Sequence, residues 1–124
     1  MNEVGHAAAL DRSARDLVEL LAERGLSLAL AESLTDVVTA EAAAEMARGA
    51  QRLFGADCGL GLTGVAGPAE QNGHPVGVAH VAAVFGGALR TASGRFPGEP
   101  DEVRRHVAER AFSLLAVLVD PRGG

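Results

Sequence analysis

The spacing of apolar residues in the first part of the chain predicts a helix followed by a strand. Apolar side chains recur at helical spacing from Asp11 onward, and Gly25 stands where a helix C-terminal cap is expected. Residues 1–10 show no clear period, so we interpret them as a frayed lead-in. Residues 26–31 alternate Leu with smaller residues, which is typical of a buried strand.

The middle of the chain repeats this order with a second helix and a second strand. Thr39 is a good helix N-cap, an apolar stripe follows it, and Gly55 closes the helix. Residues 58–63 predict a strand with Leu side chains on one face and Gly59 and Gly61 on the other. Glycines on one face of a strand indicate that another part of the chain packs very close to the backbone.

The last part of the chain predicts a β-hairpin and a final helix. Residues 76–85 are almost entirely apolar, Gly86-Gly87 is a two-residue hairpin signal, and residues 88–96 predict the returning strand. Pro100 suits a first helical position, and an apolar stripe runs from there to Leu118. The earlier strand-helix-strand unit predicts a right-handed parallel crossover, to which the hairpin adds an antiparallel edge. The predicted fold class is therefore α/β, a three-layer α/β/α arrangement with a small mixed sheet, in one domain over residues 1–124.

Composition and charge exclude several classes of protein. The hydrophobic share of 48% and charged share of 22% are those of an ordinary globular domain. All 11 basic residues are Arg, they are scattered, and the net charge is −5, which argues against a nucleic-acid partner. No apolar run is long enough for a membrane span, and the N-terminus lacks a secretion signal. We therefore expect a cytoplasmic protein without a nucleic-acid or membrane partner, a metal site or a cofactor.

Two short segments follow the predicted parallel strands and should lie side by side, where open α/β sheets bind their ligands. One offers Ser33 as a nucleophile or hydrogen-bond donor, and the glycines of the other leave backbone amides open to a phosphate or an oxyanion. On these residues alone, a loop hydroxyl and a tight turn are the more common explanations, because no base follows Ser33. The segments are Glu32-Ser33-Leu34-Thr35 and Thr63-Gly64-Val65-Ala66-Gly67-Pro68.

Two further residues with reactive side chains are expected to be structural. Cys58 opens a buried strand and has no cationic neighbour in sequence that would lower the pKa of its thiol. His80 interrupts an apolar strand, which predicts a partly buried, hydrogen-bonded imidazole.

With their surroundings, these segments resemble the C-terminal domain of the CinA (competence/damage-inducible) family. Residues 26–35 are similar to its Ala-Glu-Ser-Cys-Thr-Gly-Gly segment, and residues 62–68 to its Thr-Gly-x-Ala-Gly-Pro loop. That domain is associated with nicotinamide-nucleotide amidase activity, which converts nicotinamide mononucleotide to nicotinic acid mononucleotide and ammonia. The resemblance implies Ser33 as the catalytic residue. It also implies a substrate-binding set made up of Glu32, Thr35, Thr63, Gly64, Ala66 and Gly67.

The chain also departs from the family pattern. Leu34 replaces the usual Cys, and Asp36-Val37 stands where Gly-Gly is expected. A block of about a helix, a strand and a loop is missing between Thr35 and Asp36. In the family that block carries a Ser-Asn-x-x-Lys motif, and this chain has no Lys. The resemblance therefore implies an amidase-like domain with reduced or no catalysis.

Three functional hypotheses stay open. The first is a compact amidohydrolase that acts on nicotinamide mononucleotide. The second is a non-catalytic module that binds a nucleotide or a protein on the same fold. The third is a degenerate gene product that has retained no ligand. The missing block also predicts an exposed sheet edge, which a second copy of the chain would cover, so a homodimer is a further hypothesis.

Overall fold

The computed structural model describes residues 3–32, 38–70 and 73–122, with side chains in the first helix from Arg12 onward. The predicted order of helices and strands is confirmed. The elements are α1 (Glu3–Glu23), β1 (Leu28–Glu32), α2 (Ala40–Phe54), β2 (Cys58–Gly64), β3 (Val78–Phe85), β4 (Ala88–Arg95) and α3 (Pro100–Val119).

Two boundaries differ from the prediction for identifiable reasons. Because α1 begins at Glu3, the interpretation of residues 1–10 as a frayed lead-in is wrong over the described residues of that segment. This stretch contains Ala7-Ala8-Ala9, and alanine has the highest helix propensity, so the helix extends without an apolar period. β3 begins at Val78 because the preceding Gly77 has φ = +90°, outside the extended region.

The four strands form one mixed sheet in the order β1-β2-β3-β4. β1 runs parallel to β2, and the two remaining pairs are antiparallel. α2 covers one face of the sheet, while α3 covers the other face and carries α1 on its outer side. The predicted three-layer α/β/α fold with a small mixed sheet is confirmed. Within the described residues β1 pairs with β2 alone, which makes β1 an edge strand.

The interface between α2 and the sheet is built from the smallest side chains. A Cβ atom at Gly59 would collide with the carbonyl oxygen of Ala47, and one at Gly61 with the carbonyl oxygen of Ala43. Both alanines are fully buried in α2. The prediction that another part of the chain packs close to these glycines is confirmed, and α2 is that part. We call this contact the glycine–alanine interface.

The opposite face of the sheet holds the larger apolar core. Leu60 of β2, Val81 of β3 and Leu115 of α3 are among its fully buried side chains. Leu17 and Leu21 of α1 join the same cluster, so α1 adds to the core through its packing on α3. Burial of this apolar surface is the main stabilising contribution to the fold.

A group of polar contacts fastens the end of the sheet where β2 begins. Asp57 Oδ2 accepts hydrogen bonds from the backbone N of Ser27 at 2.9 Å and from its Oγ at 3.1 Å. Gln51 Nε2 donates to the carbonyl oxygens of Asp57 and Gly86 at 2.9 and 3.0 Å. These contacts, which we call the Asp57 node, join α2, the start of β1, the start of β2 and the β3–β4 turn.

Candidate functional site

A cavity of about 470 Å³ lies at the carboxyl ends of β1 and β2, on the face of the sheet that α3 covers. It is bordered by the strand ends, by the loop that follows β2, and by the first half of α3. A smaller hollow of about 320 Å³ between α1 and α3 contains none of the predicted site residues. The larger cavity is therefore the candidate site, and it lies where ligands bind in open α/β sheets.

Most of the predicted site residues line this cavity together. Ser33 and Thr35 lie outside the described residues, but Glu32, which directly precedes Ser33, is on the cavity wall. The end of β1 and the loop after β2 therefore border the same cavity, as the parallel crossover predicts. The predicted residues that line the cavity are Glu32, Thr63, Gly64, Ala66 and Gly67.

The loop after β2 is held by its backbone. The N–H of Val65 donates to the carbonyl oxygen of Val78 at 2.9 Å, and Val65 accepts from the N–H of Gly77 at 2.7 Å. The amide of Val65 is therefore engaged within the protein, and a ligand can meet only other amides of this loop. Gly67 has φ = +96°, a conformation that favours glycine, and the following peptide bond to Pro68 is cis.

Among the polar and charged residues that the structure describes, Thr63 is the one that is buried, with only 2% of its surface exposed. Its cross-strand neighbour in β3 is His80, which in turn pairs with Ser93 in β4. Burial of the hydroxyl at the end of β2 limits how much of it a ligand can reach. On the side of the cavity that β2 borders, the wall is therefore formed largely by the backbone of the loop and by small side chains.

Sequence reasoning missed the wall that α3 provides. Val103, Val107 and Phe112 add apolar surface to the cavity, and Arg104 and Arg105 add two guanidinium groups. The signal in the sequence was the pair Arg104-Arg105, the one place where two Arg are adjacent. Nothing in the periodicity of the helix indicated that this pair borders the strand ends.

The two arginines have different surroundings. Arg104 is exposed, and its Nη1 lies 3.2 Å from the carboxylate of Asp101, one turn earlier in α3. The Nη1 atom of Arg105 is buried and has no hydrogen-bond partner among the residues that the structure describes. A buried guanidinium nitrogen without an acceptor is energetically costly, because the group keeps its charge at every physiological pH.

The imidazole and the thiol singled out in the sequence are both outside the cavity wall. His80 is half-buried, and its Nδ1 lies 2.7 Å from Ser93 Oγ, as predicted for a hydrogen-bonded core histidine. Burial lowers the pKa of His80, opposed by the negative charge of Glu41. Cys58 is fully buried, and burial raises the pKa of its thiol to about 11, with Asp57 as a second cause. The structural interpretation of Cys58 is confirmed, since such a thiol is protonated and inert.

The described residues contain neither a metal-binding cluster nor a helix suited to cross a membrane. No group of three or more His, Cys, Asp or Glu side chains in that part of the chain is arranged to hold a metal ion. None of the helices seen there combines the length and apolar character of a membrane span.

Comparison with known sequences gives consistent matches. The sequence profile of the CinA C-terminal domain family matches residues 35–119. A putative competence-damage inducible protein of Bacillus subtilis (strain 168) is 33% identical over 85 residues, which make up 68% of this chain and 20% of that protein. A CinA-like protein of Anaeromyxobacter dehalogenans (strain 2CP-1 / ATCC BAA-258) is 36% identical over 83 residues, 66% of this chain and 20% of that protein. The chain thus spans about one fifth of the length of these curated relatives.

Comparison with solved structures shows the same fold. A competence or damage-inducible protein from Enterobacter asburiae aligns with a TM-score of 0.81 at 18% identity, over 90% of this chain and 98% of that chain. A CinA superfamily protein from Escherichia coli aligns with a TM-score of 0.79 at 23% identity, over 88% of this chain and 90% of that chain. At such identities the likeness concerns the architecture. The profile match begins at Thr35, so β1 and Ser33 lie before it.

Proposed function

The chain belongs to the family of CinA C-terminal domains, and on that premise we propose that it is a cytoplasmic nucleotide-binding domain related to nicotinamide-nucleotide amidases. Its ligand is a small nucleotide such as nicotinamide mononucleotide. Hydrolysis of that ligand is reduced or absent. The domain needs no nucleic-acid or membrane partner for this function.

One observation carries this proposal: Glu32 at the end of β1 and the loop that follows β2 border one cavity of about 470 Å³ at the strand ends. This volume lies within the range of small-molecule sites, which combine apolar walls with a few polar groups. Here Leu30, Val107 and Phe112 supply apolar surface, and the loop after β2 supplies backbone groups. A nucleotide has a flat aromatic ring and a charged phosphate, and this wall offers apolar side chains for the face of the ring and polar groups for the phosphate.

The ionisable groups on the wall explain why we propose weak or no hydrolysis. Amide hydrolysis requires an activated nucleophile and a group that transfers protons. Among the described residues of the wall, Glu32 supplies a carboxylate and Arg104 and Arg105 supply guanidinium groups. An arginine does not give up its proton in proteins, and the chain has no Lys. The imidazole of His80 does not line the cavity and is hydrogen-bonded to Ser93.

An active amidohydrolase is the second candidate, and the position of Glu32 favours it. Because Glu32 lines the cavity, Ser33 follows the cavity wall directly in the chain. In that case Ser33 would attack the carboxamide, with Glu32 as the neighbouring carboxylate.

The experiment that tests both candidates measures binding and turnover on the same sample. Calorimetric titration with nicotinamide mononucleotide should show binding, and chromatography should show little or no nicotinic acid mononucleotide. Ala108 lines the cavity, so Ala108→Glu should abolish binding, whereas Ser113→Glu places the same charge on α3 outside it. Product that disappears in Ser33→Ala would establish the enzyme instead. A folded protein that neither binds nor turns over this nucleotide would contradict the proposal.

We also propose that a second copy of the chain covers the edge of the sheet at β1. β1 is apolar up to Glu32 and pairs with β2 alone among the described strands. The opposite edge strand, β4, carries Arg90, Thr91 and Arg95 and is protected by polar side chains. An antiparallel β1–β1 contact would be self-complementary, as a twofold dimer requires.

A further inference from the structure

We propose that Arg105 is the anion-binding residue of the cavity and that it takes up the phosphate group of the bound nucleotide. This inference rests on the proposed function, and it names the chemical group that the site recognises.

The state of the guanidinium group is the first argument. Arg105 Nη1 has lost contact with solvent and has no hydrogen-bond acceptor among the described residues. In proteins, buried charged groups are nearly always paired, because desolvation otherwise disfavours them strongly. Arg105 also lines the cavity, so an anion placed there can approach its guanidinium group.

The contrast with the neighbouring arginine is the second argument. Arg104 also borders the cavity, but its guanidinium is exposed and lies beside the carboxylate of Asp101. Its charge is already compensated in the free protein. Among the described residues Arg105 has no such ion pair, so it carries the unpaired positive charge of this part of the wall, in a protein whose net charge is −5.

The distribution of the other wall residues indicates which anion fits. Arginine binds phosphate through parallel N–H donors, a geometry that a single ammonium group does not offer. Val107 and Ala108 follow Arg105 along α3 and give the wall an apolar part beside the charge. This combination selects a phosphate monoester over the corresponding nucleoside, which lacks the phosphate.

The test compares three probes and three proteins by calorimetric titration. The probes are nicotinamide mononucleotide, nicotinamide riboside, which lacks the phosphate, and inorganic phosphate. The proteins are the wild type, Arg105→Gln and Arg110→Gln, which removes an exposed guanidinium from the same helix away from the cavity. We expect Arg105→Gln to weaken mononucleotide binding by about 10- to 100-fold, the range for one charge-assisted contact, and to leave riboside binding unchanged. Arg110→Gln should bind like the wild type.

Thermal unfolding supplies a second readout and controls for folding. Because Arg105→Gln removes a guanidinium group whose buried Nη1 has no acceptor among the described residues, the variant should be at least as stable as the wild type in the absence of ligand. Inorganic phosphate should raise the Tm of the wild type and leave that of Arg105→Gln unchanged. A large loss of stability in ligand-free Arg105→Gln would overturn the inference, since it would show that the guanidinium has a structural partner.

The remaining outcomes separate this inference from the proposed function. If the mononucleotide binds equally well to the wild type and to Arg105→Gln, the inference is wrong and the proposed function stands. If phosphate binds through Arg105 while the mononucleotide does not bind, the inference stands and the proposed ligand is wrong. If no probe binds the folded wild type at millimolar concentration, both are wrong.

Discussion

Replacing Gly61 by alanine tests how closely α2 lies against the sheet. A Cβ atom at this position would meet the carbonyl oxygen of Ala43, the backbone N of Ala47 at 2.8 Å and Met46 Cβ at 3.0 Å. The first two are backbone atoms, so no rotamer change relieves them. α2 would have to move away from β2 by roughly half an ångström or more to restore ordinary contact distances.

This displacement sets the size of the expected effect. Overpacking a core by one methyl group costs about 1–3 kcal/mol, and a collision with backbone belongs at the upper end of that range. We therefore expect Gly61→Ala to lower the free energy of unfolding by about 3 kcal/mol, which for a domain of this size lowers the Tm by about 10 °C. Urea unfolding and thermal unfolding, both followed by circular dichroism, measure the two quantities.

Gly49 provides the matched control because it lies in the interior of α2, and a Cβ atom added there would have nothing within 4 Å. Gly49→Ala should raise the free energy of unfolding by about 0.5–1 kcal/mol, since alanine favours the helix and restricts the unfolded chain. The reasoning is refuted if Gly61→Ala unfolds within about 0.5 kcal/mol of the wild type with an unchanged urea dependence, a shift typical of neutral surface substitutions.

Three further predictions follow from contacts described above. Gln51→Ala should lower the free energy of unfolding by about 1 kcal/mol, because two hydrogen bonds of the Asp57 node are lost; Arg52→Ala, at an exposed neighbour, should change it little in the same urea titration. Burial raises the pKa of Cys58 from 9.0 to about 11, so the folded protein keeps a thiol proton that the unfolded chain loses between these values. The contribution of this thiol to the free energy of unfolding is therefore complete below pH 9 and decreases toward pH 11. Between pH 8 and pH 10, urea unfolding should show a larger decrease in the free energy of unfolding for the wild type than for Cys58→Ala. Equal decreases would contradict the raised pKa of Cys58. Sedimentation velocity should show a dimer for the wild type at micromolar concentration, and a monomer at that concentration would refute the proposed dimer.

The strands and the hairpin were predictable because their signals are local. Gly86-Gly87 between two apolar runs specifies a two-residue turn, and the alternation of Leu60 and Leu62 with two glycines specifies which face of β2 lies under a helix. The start of α1 was not predictable from apolar spacing, because a run of alanines forms a helix through propensity and leaves no periodic pattern.

The part of the cavity wall that α3 forms could not be predicted from local sequence patterns. Val103 and Val107 mark the face of α3 that packs on the sheet, and Arg105 lies two residues from each, roughly 200° around the helix from Val103. Periodicity alone therefore assigns Arg105 to the surface. In the structure its Nη1 is buried and the residue lines the cavity, so the wall at the strand ends extends around the helix beyond the apolar stripe. That extension depends on tertiary packing.

The Asp57 node and the cavity occupy opposite ends of the same sheet. Ser27 and Gln51 donate hydrogen bonds to Asp57 where β1 and β2 begin, whereas Glu32 and Gly64 border the cavity where these strands end. Specificity can therefore be altered by changing the distal loop while the anchored end keeps strand register. For protein engineering, residues 69–70 at the exposed end of this loop can be exchanged with little effect on folding, whereas Val65 is buried and Gly67 has a positive φ. The fold thus separates the part that must be kept from the part that can diverge.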